Sequence, residues 1–273
     1  MLRIEQMSGQ ELLAVSMEDI SDVRDLKASL RSQHGFPMCM QQLLHNGNSL
    51  DNSTKLDAPM DLQLVLLSPA TDVWQLEAAK ELSEACVKGN LEIARMLLEA
   101  GANKDFENRA GYTALMLAAR DGNVEIARFL LDAGADKDLQ GGGGNTALMV
   151  AAENGRVEIA RLLLEAGANK DLQNHSGFTA LMATVRRGHT EIARLLLEAG
   201  ADTELQDHSD TTVLALAAEF GRTEMVRLLL EADADKDLQR RGGNTALKIA
   251  ERKRHAEIAR LLVEAGAEWA SQG

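Results

Sequence analysis

Apolar residues in the last two thirds of the chain recur at helical intervals. Between Val124 and Asp132, Ile126, Ala127, Leu130 and Leu131 lie on one side of a helix, while Glu125, Arg128 and Asp132 lie on the other. Upstream, Leu115, Ala118 and Ala119 trace a shorter stripe that begins after Thr113, whose hydroxyl suits a helix N-cap. Gly122 is placed to close that first helix, Asn123 with Glu125 behind it signals the start of the second, and Gly134 ends it. The unit recurs: Thr-Ala-Leu-Met opens at Thr113, Thr146 and Thr179, with diverged copies at Thr212 and Thr245, each 33 residues after the last. One such unit cannot bury its own apolar stripe. The period therefore predicts stacked units whose stability is a sum of unit and interface terms. Polar, turn-rich stretches such as Asp138 to Asn145 suit hairpins projecting from the stack.

The first seventy or so residues lack the period. MLRIEQMSG followed by QELLAVSME reads as two short strands around a Ser8-Gly9 turn. Ser21 to His34 carries Val23, Leu26 and Leu30 at helical spacing, and Gly35-Phe36-Pro37 ends that helix. Gln42 to His45 with Asn46-Gly47 gives a strand and a turn, and Asp61 to Leu67 alternates into a final strand.

Gly-x-Thr-Ala-Leu, the Ala-Ala pair, Glu-Ile-Ala-Arg-x-Leu-Leu and Gly-Ala-Asp/Asn together resemble the ankyrin-repeat family. The resemblance implies a mainly α fold, an ankyrin solenoid of about six helix-turn-helix repeats. A degenerate first repeat is expected at 80–107, then repeats at 108–140, 141–173, 174–206 and 207–239, and a last repeat with its tail at 240–273. The first contributes Leu82, Ala85 and Cys86 but lacks the Thr-Ala-Leu opening, as an end unit can. Family members usually carry Pro after the threonine and His after the leucine; here Ala114 and Met116, Ala147 and Met149, Ala180 and Met182 stand instead. The inter-repeat bonds of that histidine are thus absent, and the methionines read as core packing.

The N-terminal order of elements is similar to the ubiquitin-like β-grasp fold, through Gly35-Phe36-Pro37, Leu43-Leu44-His45-Asn46-Gly47, Ser49-Leu50-Asp51, Thr54-Leu56 and Leu62 to Leu66. That implies a small α+β domain at 1–68 and a linker at 69–79, where Trp74 is expected to cover an exposed repeat end. The last strand runs into Ser68-Pro69-Ala70 in place of ubiquitin's Arg-Gly-Gly end, so conjugation is not expected. Leu44 and Val65 match two apolar residues through which ubiquitin is bound, although alternation in DLQLVLL is equally explained by strand burial.

A formal charge of −13 and 26% charged residues discourage attraction to phosphate backbones or anionic lipid, so nucleic acid is not an expected partner. Neither a secretory apolar region near Met1 nor a membrane-length apolar run is seen, and no membrane insertion is expected. Cys39 and Cys86 lack CxxC spacing, which points to a reducing, intracellular setting, cytoplasmic or nuclear. The six histidines show no metal-ligand spacing. His189 and His255 sit in the turn before a second helix, where polar residues serve structure. His175 and His208 share a position on consecutive hairpin tips and read as solvated. Gly141-Gly142-Gly143-Gly144 lacks the Lys-Ser/Thr of a phosphate loop and reads as a flexible tip, and Asp136 with Asp138 reads as solvated loop charge. No catalytic, cofactor or metal residues are assigned, and the chain is not expected to be an enzyme.

Function then falls on the face made by hairpin tips and first helices, where residues break the internal consensus. On the tips these are Arg109, Tyr112, His175, Phe178, His208 and Arg241; on the first helices Arg120, Asp121, Glu153, Asn154, Arg186, Arg187, Glu219, Phe220, Arg252 and Lys253. Aromatics and arginines most often anchor interfaces. Glu153 and Asn154 give way to Arg186 and Arg187 and later to Arg252, Lys253 and Arg254, which would suit a partner with an acidic segment at the C-terminal repeats. The expected role is a monomeric protein-binding module. Alternatives are an adaptor that joins repeat-bound cargo to ubiquitin or proteasome machinery through the N-terminal domain, and a regulatory subunit of an enzyme. Asn103 and Asn169 resemble positions that asparaginyl hydroxylases modify in this family, though the following Lys-Asp differs from the usual pair. Asp210, Asp233 and Arg254 stand where neighbouring repeats have glycine, which marks the later repeats as strained.

Overall fold

The computed structural model describes residues 2–6, 11–15, 20–34, 36–46, 48–56, 61–66, 72–239 and 243–267. The expected Ser8-Gly9 turn, Gly35, Gly47, Ser68 to Ala70, Arg241 and the side chain of Trp74 lie outside the described residues. The chain divides into two compact units, Met1–Asn108 and Arg109–Gly273.

In the first unit, strands β1 (Leu2–Gln6), β2 (Glu11–Val15), β3 (Gln41–His45), β4 (Asn48–Ser49) and β5 (Asp61–Leu66) form one sheet in the order β2-β1-β5-β3-β4. β1 and β5 run parallel and the other pairs antiparallel. Helix α1 (Val23–His34) supplies Val23, Leu26 and Leu30 to a core completed by Ile4, Ile20, Leu43, Leu56, Leu62 and Leu64. The alternation read in the last strand is real: Leu62 and Leu64 are buried while Asp61 and Gln63 are exposed.

The same unit holds a helix pair, α2 (Asp72–Lys88) and α3 (Leu91–Glu99). Residues 72–79, expected as linker, are the first two turns of α2, with Ala78 and Ala79 buried. Their helical spacing with Leu82, Ala85 and Cys86 continues one apolar stripe back past the expected boundary. Gln75 also belongs to this fold: its Nε2 donates to Gly101 O and its Oε1 accepts from Asn103 N.

Among the described residues, the second unit stacks five helix pairs. They are α4 (Ala114–Asp121) with α5 (Val124–Asp132), α6 (Ala147–Glu153) with α7 (Val157–Glu165), α8 (Ala180–Arg187) with α9 (Thr190–Glu198), α10 (Val213–Glu219) with α11 (Thr223–Glu231), and α12 (Ala246–Lys253) with α13 (Ala256–Glu264). First helices pack on first helices and second on second. Thr113, Thr146, Thr179, Thr212 and Thr245 each accept the amide three residues on, as their N-cap position requires. Met116, Met149 and Met182 are buried, in keeping with core packing. Asn123 takes the N-cap position of α5, but its side chain makes no cap hydrogen bond; Arg156, His189, Arg222 and His255 at the matching positions make none either. Three of those side chains, Arg156, His189 and Arg222, serve the preceding repeat instead. Arg156 Nε donates to Arg120 O at 3.0 Å, Arg222 Nη2 donates to Arg186 O at 3.2 Å, and His189 Nε2 lies 3.2 Å from Glu153 O. Each reaches a carbonyl left open at the end of a first helix.

Two loop readings are corrected. Asp138 does more than carry solvated charge: its Oδ1 accepts from Asn169 N of the next repeat at 2.7 Å, and Asp136 Oδ1 accepts from Asp138 N. Asp171 and Glu204 repeat the link with Asp202 N and Asp235 N. The glycine run is a contact rather than a free tip. Gly142 N donates to Gly111 O at 2.9 Å, and a Cβ on buried Gly141 would lie 2.0 Å from that oxygen, so the tips of two repeats touch where side chains are missing.

Asp210, Asp233 and Arg254 adopt φ of 55°, 57° and 62°, the left-handed region expected of them. At Arg254 this costs about 1 kcal/mol relative to glycine. Glu251 is exposed where Ala119, Ala152, Val185 and Ala218 are buried. The last helix pair should therefore exchange its amides before α6 to α9, and Arg254→Gly should slow that exchange. Uniform exchange along the array, read by mass spectrometry, would contradict this.

Candidate functional site

The consensus-breaking residues of the second unit gather at the C-terminal ends of the first helices and just before their threonine caps. Tyr112 and Phe178 each precede a cap and are half-buried. An arginine of the following helix lies over each ring: Arg120 at 5.7 Å from the Tyr112 centroid and Arg186 at 5.2 Å from that of Phe178. Cation–π contact of this kind holds a guanidinium in place while leaving an edge in water. Arg120 also forks onto its neighbour Asp121, with Nε and Nη2 at 3.0 and 2.9 Å from the two carboxylate oxygens.

Glu153 is the centre of a cluster that joins two repeats. Its Oε1 accepts from Arg186 Nη2 at 2.9 Å and from Arg187 Nη2 at 2.7 Å, both from the next repeat. The Arg187 hydrogen bond, with the charge of Arg186 behind it, draws the Glu153 carboxyl below its usual range, against the opposing effect of partial burial. Because the folded-state value lies below the unfolded one, the small stabilisation is present at neutral pH and fades as acid takes the pH down through the depressed value. Further along, Glu219 lies 3.3 Å from Lys253. On the face read as turning basic toward the C-terminal repeats, acidic residues of the preceding repeat thus sit on three of the basic groups, Arg186, Arg187 and Lys253.

The remaining predicted residues do not join these clusters. Arg109, His175, His208 and Arg252 are exposed, Phe220 is 45% exposed, and Asn154 Nδ2 donates back to Val150 O. At the His175 and His208 tips it is the backbone that bonds, to Gly143 O and Ser176 O. Among the described residues no group of three or more His, Cys, Asp or Glu could hold a metal, and no helix is long and apolar enough to cross a membrane.

In the first unit Leu44 and Val65 are half-buried. Gln42 pairs with Val65 and Leu44 with Gln63, so all four share one face of the sheet, opposite the face that buries Leu43 and Leu64. Sequence reasoning missed a second feature here. Glu81 of α2, 7% exposed, accepts from the amides of Met38 and Cys39 at 2.9 and 3.0 Å and lies 3.2 Å from Arg31 Nη1. It thereby satisfies the open end of the short 3-10 turn Met38–Met40. A charge at position 81 within the stripe of Ala78, Leu82 and Ala85 was the available signal. Beside it a cleft of about 430 Å³ is lined by Lys27, Arg31, Gln41, Glu77, Lys80 and Glu84 among others. Burial lowers the Lys27 ammonium, while burial and the Glu81 carboxylate push the Cys39 thiol well up. Burial likewise pushes Cys86 up to about 12, so neither cysteine is a ready nucleophile.

A family model described as Ankyrin repeats (3 copies) matches residues 30–141, 82–174, 133–207 and 181–272. No individual curated protein matches the chain at a significant level.

Proposed function

The chain belongs to the ankyrin-repeat family, and on that premise we propose that it is a non-enzymatic protein-interaction module, holding a partner protein on the face built from its hairpin tips and first helices. Ankyrin repeats are generally protein–protein interaction modules and are typically non-catalytic. One observation carries the assignment to this face. The buried Thr and the buried Leu two residues after it recur in all five helix pairs, while the ends of the first helices differ in every repeat and remain open to water. Phe220, Arg186, Arg187 and Arg252 are the groups best suited to anchor a partner there. The four basic side chains Arg186, Arg187, Arg252 and Lys253 against the two carboxylates Glu153 and Glu219 favour an acidic segment at the C-terminal repeats. Two free cysteines, Cys39 and Cys86, suit a reducing interior, cytoplasmic or nuclear.

A second reading is favoured by the sheet order β2-β1-β5-β3-β4 with parallel central strands, which agrees with a ubiquitin-like β-grasp, and by the common face of Leu44 and Val65. In that reading the N-terminal sheet engages ubiquitin-system or proteasomal machinery while the repeats select cargo. Capture from cell lysate, compared between wild type, Phe178→Ala/Arg186→Glu/Arg187→Glu and Leu44→Ala with bound proteins identified by mass spectrometry, separates the two. The repeat variant is expected to lose a specific partner. Full retention by that variant with loss by Leu44→Ala would move recognition to the sheet, and an enzyme recovered in stoichiometric complex would instead support a regulatory-subunit role.

A further inference from the structure

We propose that Arg186 and Arg187 form a two-guanidinium clamp for an aspartate or glutamate side chain of the partner, and that Glu153 is an internal carboxylate which occupies the clamp until the partner displaces it. The inference rests on the repeat face being the binding surface and names the chemistry that this surface reads.

The geometry already shows a carboxylate seated in the clamp. Both guanidinium groups converge on one oxygen, Glu153 Oε1, at hydrogen-bond distances typical of charge-assisted pairs. Arg186 is held over the Phe178 ring independently of Glu153, so one jaw stays placed when the carboxylate leaves. All three charged side chains reach water: Arg187 is 54% exposed, Arg186 41% and Glu153 32%. Ion pairs this open contribute little to stability, so a fold has small reason to resist their exchange. An incoming carboxylate replaces Glu153 bond for bond, and the released glutamate is solvated. The Phe178 ring beneath Arg186 adds an apolar margin for the residue flanking the partner's acid.

The surroundings restrict the occupant. The chain carries −13 overall, so its long-range field repels a polyanion and only contact at a local basic strip can favour one. A short acidic peptide segment fits that strip, whereas the −13 chain repels a long polyanion such as a nucleic acid backbone.

The test is fluorescence anisotropy of a fluorescein-labelled oligoglutamate peptide with the full chain at low salt. Glu153→Gln is expected to tighten binding about fivefold, Arg187→Gln to weaken it by a similar factor, and the double variant to lose the gain. Glu158→Gln removes an exposed acid from α7, outside this face, and reports the effect of net charge alone. A gain from Glu153→Gln no larger than that from Glu158→Gln overturns the clamp, as does a gain confined to a labelled single-stranded oligonucleotide. Equal melting temperatures across the set would show that folding is not the variable. If Glu153→Gln gives no gain while the triple repeat variant still loses its partner from lysate, the clamp fails and the binding face stands; if the triple variant also keeps its partner, both fall.

Discussion

Replacing Glu81 with alanine is expected to destabilise the N-terminal unit by about 3 kcal/mol, the scale at which one member of a buried, hydrogen-bonded ion pair is lost. Truncation strands the amides of Met38 and Cys39 together with the Arg31 guanidinium, which is only 18% exposed. Bonds to a charged acceptor contribute more than neutral ones, and buried donors without partners keep their full desolvation penalty. Glu84 offers the comparison on the same helix: it also faces Arg31, at 3.5 Å, but is 47% exposed. Glu84→Ala should cost under about 1 kcal/mol. Urea unfolding gives the two losses. Hydrogen exchange should show Met38 and Cys39 losing protection in the Glu81 variant alone. Equal losses at the two positions would mean that the carboxylate at 81 is not what fastens the turn to α2.

The second large effect is expected at Gly177. Its φ is +79°, and a Cβ there would lie 2.7 Å from His208 N and 2.8 Å from Asp207 Cα, both backbone atoms of the next repeat. Gly200 has nearly the same φ, +74°, with nothing within 4 Å of its Cβ position. Gly200→Ala thus measures the left-handed conformation alone, about 1 kcal/mol, whereas Gly177→Ala adds the displacement of a neighbouring tip and should cost about 3 kcal/mol. Thermal or denaturant melts of the two single variants decide it. Similar losses would show that the tip of the next repeat yields freely.

These two sites mark where sequence reasoning stops. The period, the threonine caps and the left-handed residues are local facts, each fixed by neighbours a few positions away, and they could be read directly. Asp210, Asp233 and Arg254 were legible for the same reason, since a missing glycine in a repeat defines its own backbone. Contacts that cross from one element to a distant one were not. The glycines at 141 and 142 read as freedom because their partner, the oxygen of Gly111, lies a full repeat away. Glu81 drew no reading of its own, because its partners at Met38 and Cys39 stand 43 and 42 residues upstream. On the candidate face the residues were named but their pairing was not: Glu153 and the two arginines looked like successive patches of opposite sign and are instead one cluster.

The bonds between repeats have a larger unit than the repeat itself. Arginine and histidine alternate at the position before the last four second helices, Arg156, His189, Arg222 and His255, while acid and base alternate at the ends of the matching first helices, from Glu153 to Arg186 and Arg187, then Glu219, then Arg252 and Lys253. Over these four repeats the chemical period is therefore two repeats, or 66 residues, although the backbone period is 33. Excising 174–206 alone would bring Glu153 and Glu219 into consecutive repeats, acid facing acid, whereas removing 174–239 would set Glu153 against Arg252 and Lys253 and restore opposite charges. Between 141 and 273, internal repeats can be removed without setting like charges against each other only in even steps.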